Sequence, residues 1–190
     1  SGTGANRLAG HGRRVADLAR NIAGRMKLSD SEAQNVMLAA LLHDIGKLGL
    51  PDELLDKPFN SMSAENRAQV MKHPVVGQNI LMAIERFHDA AKLVRHHHES
   101  YDGSGYPDRL AGIAIPQGAR IISVANDYDA LQIGTLVQRP LKPAEALSFL
   151  IDNRGKRYDP AAVDALAQLL SESKKPEFSE VPLRTMHLKP

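Results

Sequence analysis

The sequence predicts an all-α protein with one long loop, and three observations support this prediction. Apolar residues recur at helical spacing through most of the chain. Residues that favour helix starts, such as Ser29 and Ser63, stand before these segments. The pattern is broken between residues 99 and 118, where glycines and prolines are frequent. Because 190 residues suffice to bury a core, we expect the chain to fold without disulfides or a structural metal.

The first two helices carry the clearest signals. Apolar residues of a single face predict a helix over residues 11–27. The sequence Ser29-Asp30-Ser31-Glu32 matches a capping box, in which the first and last side chains satisfy free amides at a helix start. The second helix is therefore expected to begin there and to run to His43-Asp44, with Gly46 as its stop.

The same signals predict the later elements and a simple domain organisation. A helical turn is expected after Pro51, and further helices are expected over 63–72, 73–84, 89–98, 119–131, 143–151 and 160–170. The predicted divisions of the chain are a linker or cloning remnant at 1–7, one domain at 8–172 and a C-terminal tail at 173–190.

Composition limits the classes of function. The formal net charge is only +2, and four Tyr, four Phe and no Trp are too few for a base-stacking surface, so neither DNA nor RNA is an expected partner. The sequence has no apolar run of about 18 residues and no recognisable signal peptide, which predicts a cytoplasmic protein without a membrane span. The absence of cysteine leaves nitrogen and oxygen ligands for any metal. Eight histidines are the informative excess.

Several histidines are predicted to point inward. His11 lies four, seven and eleven residues before apolar residues of the first helix, so it shares their buried face. A lone inward histidine is more often a hydrogen-bonded core residue than a ligand. His43 and Asp44 continue the inner face of the second helix, and a buried carboxylate is unfavourable unless a partner such as a cation compensates it. His73 and the run 96–98 add imidazoles at other helix ends, although a histidine run alone can be an exposed tract.

A series of short motifs follows along the chain. In order they are His11-Gly-Arg-Arg-Val-Ala, Leu42-His43-Asp44-Ile45-Gly46-Lys47, His73-Pro74, His97-His98-Glu99, Asp102-Gly103-Ser104-Gly105-Tyr106-Pro107, and Arg120-Ile121-Ile122 with Asp129-Ala130-Leu131. Their order and spacing resemble those of the HD-GYP family over about residues 8–170. The resemblance implies a helical bundle of the HD-domain type with a long Gly/Pro-rich loop. It also implies a metal centre that hydrolyses cyclic di-GMP to the linear dinucleotide pGpG, to GMP or to both.

The resemblance further implies the residues of the metal centre. Two divalent transition-metal ions are expected, and the nitrogen and oxygen ligands suit iron, manganese, nickel or zinc. Such a pair of ions can lower the pKa of a water molecule and neutralise charge on the phosphodiester. Asp44, as a bridging carboxylate, and Lys47, near the scissile phosphate, are the implied catalytic residues. The implied metal ligands are His11, His43, Asp44, His73, His97, His98 and Asn126.

Substrate contacts and partners are implied in the same way. The implied substrate-binding residues are Lys47, Gly103, Gly105, Tyr106, Pro107, Arg139 and Lys142. Arg139 and Lys142 have the mutual spacing of two phosphate contacts of the family, but they follow a longer segment, 132–138, than usual. The loop glycines are also explained as turn residues, and each basic residue as a solvated surface charge. The implied partners are a cyclic dinucleotide substrate, GGDEF-type or other signalling domains, and a second copy of the chain in a homodimer.

Two positions depart from the family pattern. Asn126 stands where the family usually has a ligating aspartate, so a neutral oxygen ligand replaces a charged one. Asp127 lies about 100° away on the helix and could substitute only if the helix shifted. Arg7 stands where some members have a glutamate for a third metal, which favours two ions.

These departures leave alternative functions open. A catalytically impaired module could keep the fold and bind cyclic di-GMP or a partner signalling domain, and Asn126 is the residue that favours it. Another HD-type phosphohydrolase could act on mononucleotides or alarmones. The paired His97-His98 and the Gly105-Tyr106-Pro107 sequence argue against this last alternative.

Overall fold

The computed structural model describes residues 10–55, 57–137 and 139–174. Within these ranges the prediction of an all-α protein is confirmed, and no helix is long and apolar enough to span a membrane. The predicted linker at 1–7, with Arg7, and nearly all of the predicted tail at 173–190 lie outside the described residues. The α-helices are α1 His11–Arg25, α2 Asp30–Leu42, α3 Asp52–Leu55, α4 Ala64–Val70, α5 His73–Met82, α6 His88–His96, α7 Gln117–Ile133, α8 Pro143–Asp152 and α9 Pro160–Ser173.

Helix α7 forms the centre of the bundle. It packs against α1, α2 and α8, while α9 covers α1 and α5 packs along α6. Most side chains of α7 are buried, including Ile121, Ile122 and Leu131. This burial on several sides explains why α7 extends beyond the predicted range 119–131.

Helix starts agree with the capping residues in the sequence. Ser29 and Glu32 form the predicted reciprocal capping box at α2. At α4 the hydroxyl oxygen of Ser63 accepts a hydrogen bond from the amide of Asn66. Local side-chain chemistry therefore determines where these helices begin.

Several helices end about two residues before their predicted ends, and two of these ends carry candidate ligands. Helix α2 ends at Leu42 and α6 at His96, each two residues before the predicted end. After α2 the chain enters a short 3-10 helix, Ile45–Gly49, whose buried Gly46 packs against the start of α5. A β carbon on Gly46 would lie only 2.0 Å from the carbonyl oxygen of His73. Gly46, the predicted stop, thus lies in the 3-10 helix that follows α2, where two backbones approach closely.

The Gly/Pro-rich loop between α6 and α7 is ordered by a buried carboxylate. Glu99 is 3% exposed and accepts hydrogen bonds from the amides of Asp108 (3.2 Å) and Leu110 (3.3 Å). Its carboxylate also bonds to Nδ1 of His96 over 2.9 Å. Glu99 therefore satisfies loop amides that lack helical partners.

Candidate metal centre

Three imidazoles of the site are oriented by the same arrangement at helix ends. The last carbonyl groups of an α-helix have no partner within the helix. Each histidine donates a hydrogen bond from Nδ1 to the carbonyl oxygen three residues earlier, so its Nε2 carries a free lone pair. The pairs are His43 with Ala40 (2.5 Å), His73 with Val70 (2.6 Å) and His97 with Val94 (2.5 Å).

His11 is oriented by a carboxylate instead. Its Nδ1 donates to Oδ2 of Asp129 over 2.6 Å, and Arg14 donates to both oxygens of Asp129 at 2.7 and 3.1 Å. Burial acts to raise the pKa of Asp129, but His11 and Arg14 outweigh it and lower that pKa. Metal-binding histidines commonly donate their second nitrogen to a carboxylate in this way. Nε2 of His11 is therefore the nitrogen available to a cation.

The amide of Asn126 has one favourable orientation. Its Nδ2 donates to Oδ1 of Asp127 over 3.1 Å, which directs Oδ1 of Asn126 toward His11. The reverse orientation would place the amide oxygen against a carboxylate. Asp127 thus directs the side-chain oxygen of Asn126 toward the candidate centre.

Two pairs of atoms at the centre are opposed acceptors when the imidazoles are neutral and carry their hydrogen on Nδ1. Nε2 of His11 lies 3.1 Å from Oδ1 of Asn126, and Nε2 of His73 lies 3.4 Å from Nε2 of His97. All three histidines have already placed their hydrogen on Nδ1. Nε2 of His43 is also buried and has no hydrogen-bond partner within the described residues. A cation at the centre would satisfy all of these atoms.

Asp44 lies between the histidines. Its Oδ2 is 3.2 Å from Nε2 of His43, its Oδ1 is 3.7 Å from Nε2 of His73, and Nζ of Lys47 is 3.1 Å from Oδ1. Burial acts to raise the pKa of Asp44, but His43 and Lys47 hold that pKa well below its usual value. For His43, Asp44 raises the pKa although burial acts to lower it. The carboxylate is therefore ionised and within reach of both groups of imidazoles.

Other imidazoles are kept neutral by burial. Burial, assisted by Lys47, lowers the pKa of His73 to about 4. Burial and neighbouring imidazoles hold the pKa values of His97 and His98 well below the ordinary histidine value. Because only the neutral ring can bind a metal, these three side chains are in the ligating form near pH 7.

Among the described residues, His96, Glu99 and Asp108 form one group that could hold a metal ion, and the predicted histidine and aspartate ligands form two others. Within each group the ligand atoms lie within 4.8 Å of one another, and the nitrogen and oxygen donors suit transition metals. The two groups of predicted ligands are His11, His43 and Asp44, and His73, His97 and His98. Their donor atoms fit the two expected ions.

The centre opens into a cavity of about 550 Å³. Lys47, Gly105 and Tyr106 line it, as predicted for substrate contacts. The ring of Tyr106 stacks on His98, with centroids 5.0 Å apart and planes 16° apart. Apolar side chains also line the cavity, and they include Leu50, Leu54, Phe59, Met62, Leu136 and Phe149. The cavity thus combines charged groups at the candidate centre with apolar side chains, a combination common in ligand-binding cavities.

Four predicted substrate residues are not brought to this cavity. Gly103, Pro107, Arg139 and Lys142 are absent from the described residues that line it. The side chain of Arg139 is 72% exposed and donates to Glu145 over 3.1 Å, while the amide of Lys142 donates to the same carboxylate over 3.1 Å. Both residues therefore contact the N-terminus of α8, and their contact with phosphate stays a prediction.

Sequence reasoning missed a polar cluster beside the centre. Asp127, 3% exposed, accepts hydrogen bonds from the hydroxyl of Tyr158 (2.6 Å) and from Nε of Arg157 (3.0 Å). Arg157 also lines the cavity. These partners lie 30 and 31 positions from Asp127 in the chain, so no local pattern could have paired them.

Fold and site together define an all-helical domain with buried histidines and an aspartate that form a candidate metal centre at a cavity. A family model described as HD domain matches residues 4–162. The chain belongs to the HD domain family, and its relatives place it in the HD-GYP group. Members of this family depend on metal ions, which agrees with the donor set.

Two curated relatives act on cyclic dinucleotides according to their names. The cyclic di-GMP phosphodiesterase response regulator RpfG of Xanthomonas campestris is 43% identical over 160 residues, covering 80% of this chain and 41% of the relative. The 3'3'-cGAMP-specific phosphodiesterase 3 of Vibrio cholerae is 38% identical over 167 residues, covering 86% of this chain and 35% of the relative. The chain thus spans less than half of either relative.

Solved structures agree with the fold. An HDG"Y"P protein from Bdellovibrio bacteriovorus superposes with a TM-score of 0.69 at 30% identity, covering 85% of this chain and 51% of that one. A cyclic GMP-AMP phosphodiesterase of Vibrio cholerae gives a TM-score of 0.67 at 20% identity, and the match covers 85% of this chain and 44% of that one. At 20% identity the second match supports the fold alone.

Proposed function

We propose that this domain hydrolyses cyclic di-GMP to pGpG, to GMP or to both at a centre of two divalent transition-metal ions. The observation that carries the proposal is the opposed acceptor atoms, His11 against Asn126 and His73 against His97, which a bound cation would satisfy. Phosphodiesterase names among the relatives support the reaction and the class of substrate. The two ions would be iron, manganese, nickel or zinc, and the donor set does not choose among them.

In this proposal each group of ligands holds one ion, and Asp44 contributes to both. Bound cations would lower the pKa of a water molecule and neutralise charge that develops on the phosphodiester. Asp44 would reach both ions, because its two oxygens already face different imidazoles. The proposed ligands are His11, His43 and Asn126 for one ion, His73, His97 and His98 for the other, and Asp44 for both.

Lys47 and the loop would position the substrate. The ammonium group of Lys47 lines the cavity and pairs with Asp44, so it lies where a phosphate would approach the centre. Tyr106 stacks on His98 and limits rotation of that ring. Gly105 allows the loop to approach closely, since a β carbon there would lie 2.2 Å from the amide nitrogen of Ser100.

The test combines metal content with turnover. The protein is stripped with a chelator and reloaded separately with each of the four metals. Ions per chain are measured by elemental analysis, and products from cyclic di-GMP, 3'3'-cGAMP and pGpG by chromatography. We expect about two ions per chain and chelator-sensitive cleavage of cyclic di-GMP. A protein that holds two ions but cleaves no cyclic dinucleotide would contradict the proposal.

A second function is favoured by one residue. Asn126 supplies no negative charge, so the ion held by His11 and His43 would be bound more weakly than with an aspartate. A domain with one empty position could bind cyclic di-GMP, a GGDEF-type or other signalling domain, or a second copy of itself without cleaving substrate. Calorimetric binding of cyclic di-GMP without turnover in the reloaded protein would favour this function.

A further inference from the structure

We infer that Arg157 binds a phosphate of the substrate, a role predicted from the sequence for Arg139 and Lys142. This inference rests on the proposed function, because the anion it assigns is the phosphodiester of a cyclic dinucleotide. Arg157 lines the same cavity as Asp44 and Lys47, and its side chain is 41% exposed. A half-exposed arginine in the wall of a substrate cavity can meet an anion without first leaving a buried site.

The main chain around Arg157 is fixed to the loop that borders the centre. The carbonyl of Arg157 accepts a hydrogen bond from the amide of Tyr101 over 3.1 Å, and the carbonyl of Lys156 accepts one from Asp102 over 2.8 Å. Tyr158, the next residue, is 1% exposed. The guanidinium therefore projects from a rigid segment, which reduces the entropy lost on binding.

Asp127 orients the guanidinium. This buried carboxylate accepts the Nε hydrogen of Arg157 and the hydroxyl hydrogen of Tyr158, and its other oxygen accepts from Asn126. Within the described part of the chain the terminal nitrogens of Arg157 make no hydrogen bond. Arginine held through Nε presents its two terminal amino groups as a fork, the geometry that binds phosphate in a bidentate way.

The charges around the cavity support an additional phosphate contact. A cyclic dinucleotide has two phosphodiester groups, and only one can lie at the metal centre for cleavage. Lys47, Lys57 and Arg157 are the basic side chains among the described residues that line the cavity. Lys47 is paired with Asp44 at the centre, and Lys57 is exposed. Arg157 is held by Asp127, a buried carboxylate outside the two groups of proposed ligands, so it suits the phosphate that is not cleaved.

The test uses substrates that differ in their number of phosphodiesters. Arg157→Gln is compared with Arg154→Gln, a nearby exposed arginine that pairs with Asp164. On cyclic di-GMP we expect Arg157→Gln to raise KM about ten- to hundredfold, the usual effect of losing hydrogen bonds to a charged group. On bis(p-nitrophenyl) phosphate, which has a single phosphodiester, KM and kcat should change less than about threefold. Arg154→Gln should behave as wild type on both.

Two further measurements separate a binding role from a structural one. If Arg157→Gln does not fold, Arg157→Lys keeps the charge near Asp127 and should show the same selective rise in KM. Calorimetric binding of cyclic di-GMP should weaken by the same factor, and this readout holds even if wild type proves unable to cleave. An unchanged KM and affinity, an equal loss on both substrates, or a loss in Arg139→Gln instead would overturn the inference.

Discussion

Oδ1 of Asn126 lies 3.1 Å from Nε2 of His11. Asp127 holds the amide in this orientation because its carboxylate accepts a hydrogen bond from Nδ2 of Asn126. The oxygen of the ligand is therefore preserved where the family pattern has an aspartate, but the negative charge is not. The neighbouring charge on Asp127 is directed away, toward Arg157 and Tyr158. Residue 126 is thus the position at which the proposed centre differs in charge from the family pattern.

Replacing Asn126 by aspartate should strengthen metal binding. The new carboxylate adds one unit of negative charge beside the ion held by His11 and His43, so we expect affinity and turnover at limiting metal to rise about tenfold. With excess metal the gain in turnover should shrink, because both proteins are then loaded. Competition with a chromophoric chelator measures the affinity.

Stability of the metal-free protein should change in the opposite direction. Asn126→Asp removes the hydrogen bond to Asp127 and places two carboxylates against each other. The lost bond and the repulsion should lower the free energy of unfolding by about 1–3 kcal/mol. Thermal melts with chelator and with saturating metal separate the two effects. Unchanged affinity and unchanged metal dependence would mean that residue 126 is not a ligand, and Asp127 or Asp129 would be the next candidate.

The histidine run should divide into ligands and non-ligands. His97→Ala and His98→Ala should each lower activity at least about hundredfold, because each removes a ligand atom from one group. His96 faces Glu99 and the exposed His88 bonds to a carbonyl, so His96→Ala and His88→Ala should retain metal and activity. Metal content of the four variants is measured beside turnover. Equal loss in all four would contradict the division.

The fold was predictable because its signals are local. Ser29 and Glu32 specify a helix start within four residues, and the face containing Val15 and Ile22 shows which side of α1 is buried. Helix ends were predicted less well. Gly46 follows the end of α2 and lies against the backbone of His73, and this contact depends on tertiary packing.

The candidate ligands could be predicted from the sequence because the helix-end histidines belong to motifs of the family. The orientation of their rings could not be predicted. The carbonyl partner of His43 and the carboxylate partner of His11 become visible only in three dimensions. The prediction for Arg139 relied on its spacing to Lys142. That spacing is kept in the structure at the N-terminus of α8, away from the cavity.

Asp129 should control metal binding without contacting the ion. It holds the hydrogen of His11 on Nδ1, so Asp129→Asn weakens the preference for the ligating tautomer. We expect metal affinity to fall about 10–100-fold. Asp17→Asn, an exposed change on the same helix as His11, is the matched control and should have no effect. An affinity equal to wild type in Asp129→Asn would show that Asp129 does not position the ring.

Gly46 should be intolerant of even one added carbon. In Gly46→Ala the β carbon would lie 2.0 Å from the carbonyl oxygen of His73 and 2.7 Å from the amide nitrogen of Gly77. Both are main-chain atoms, so α5 would have to move as a unit and would take His73 away from Asp44. We expect a loss of more than about 3 kcal/mol in the free energy of unfolding, measured by urea denaturation.

Two other glycines provide a graded comparison. In Gly77→Ala the nearest atom, at 2.9 Å, belongs to the side chain of Val94, which can adjust, so an intermediate loss of about 1–2 kcal/mol is expected. Gly49 lies in the same 3-10 helix as Gly46, and apart from its chain neighbours no atom of the described residues lies within 4 Å of its added carbon. Gly49→Ala should therefore change stability by less than about 1 kcal/mol. Metal affinity should follow the same order, because only displacement of α5 moves His73. Equal stability of the Gly46 and Gly49 variants would contradict the close approach of the two backbones.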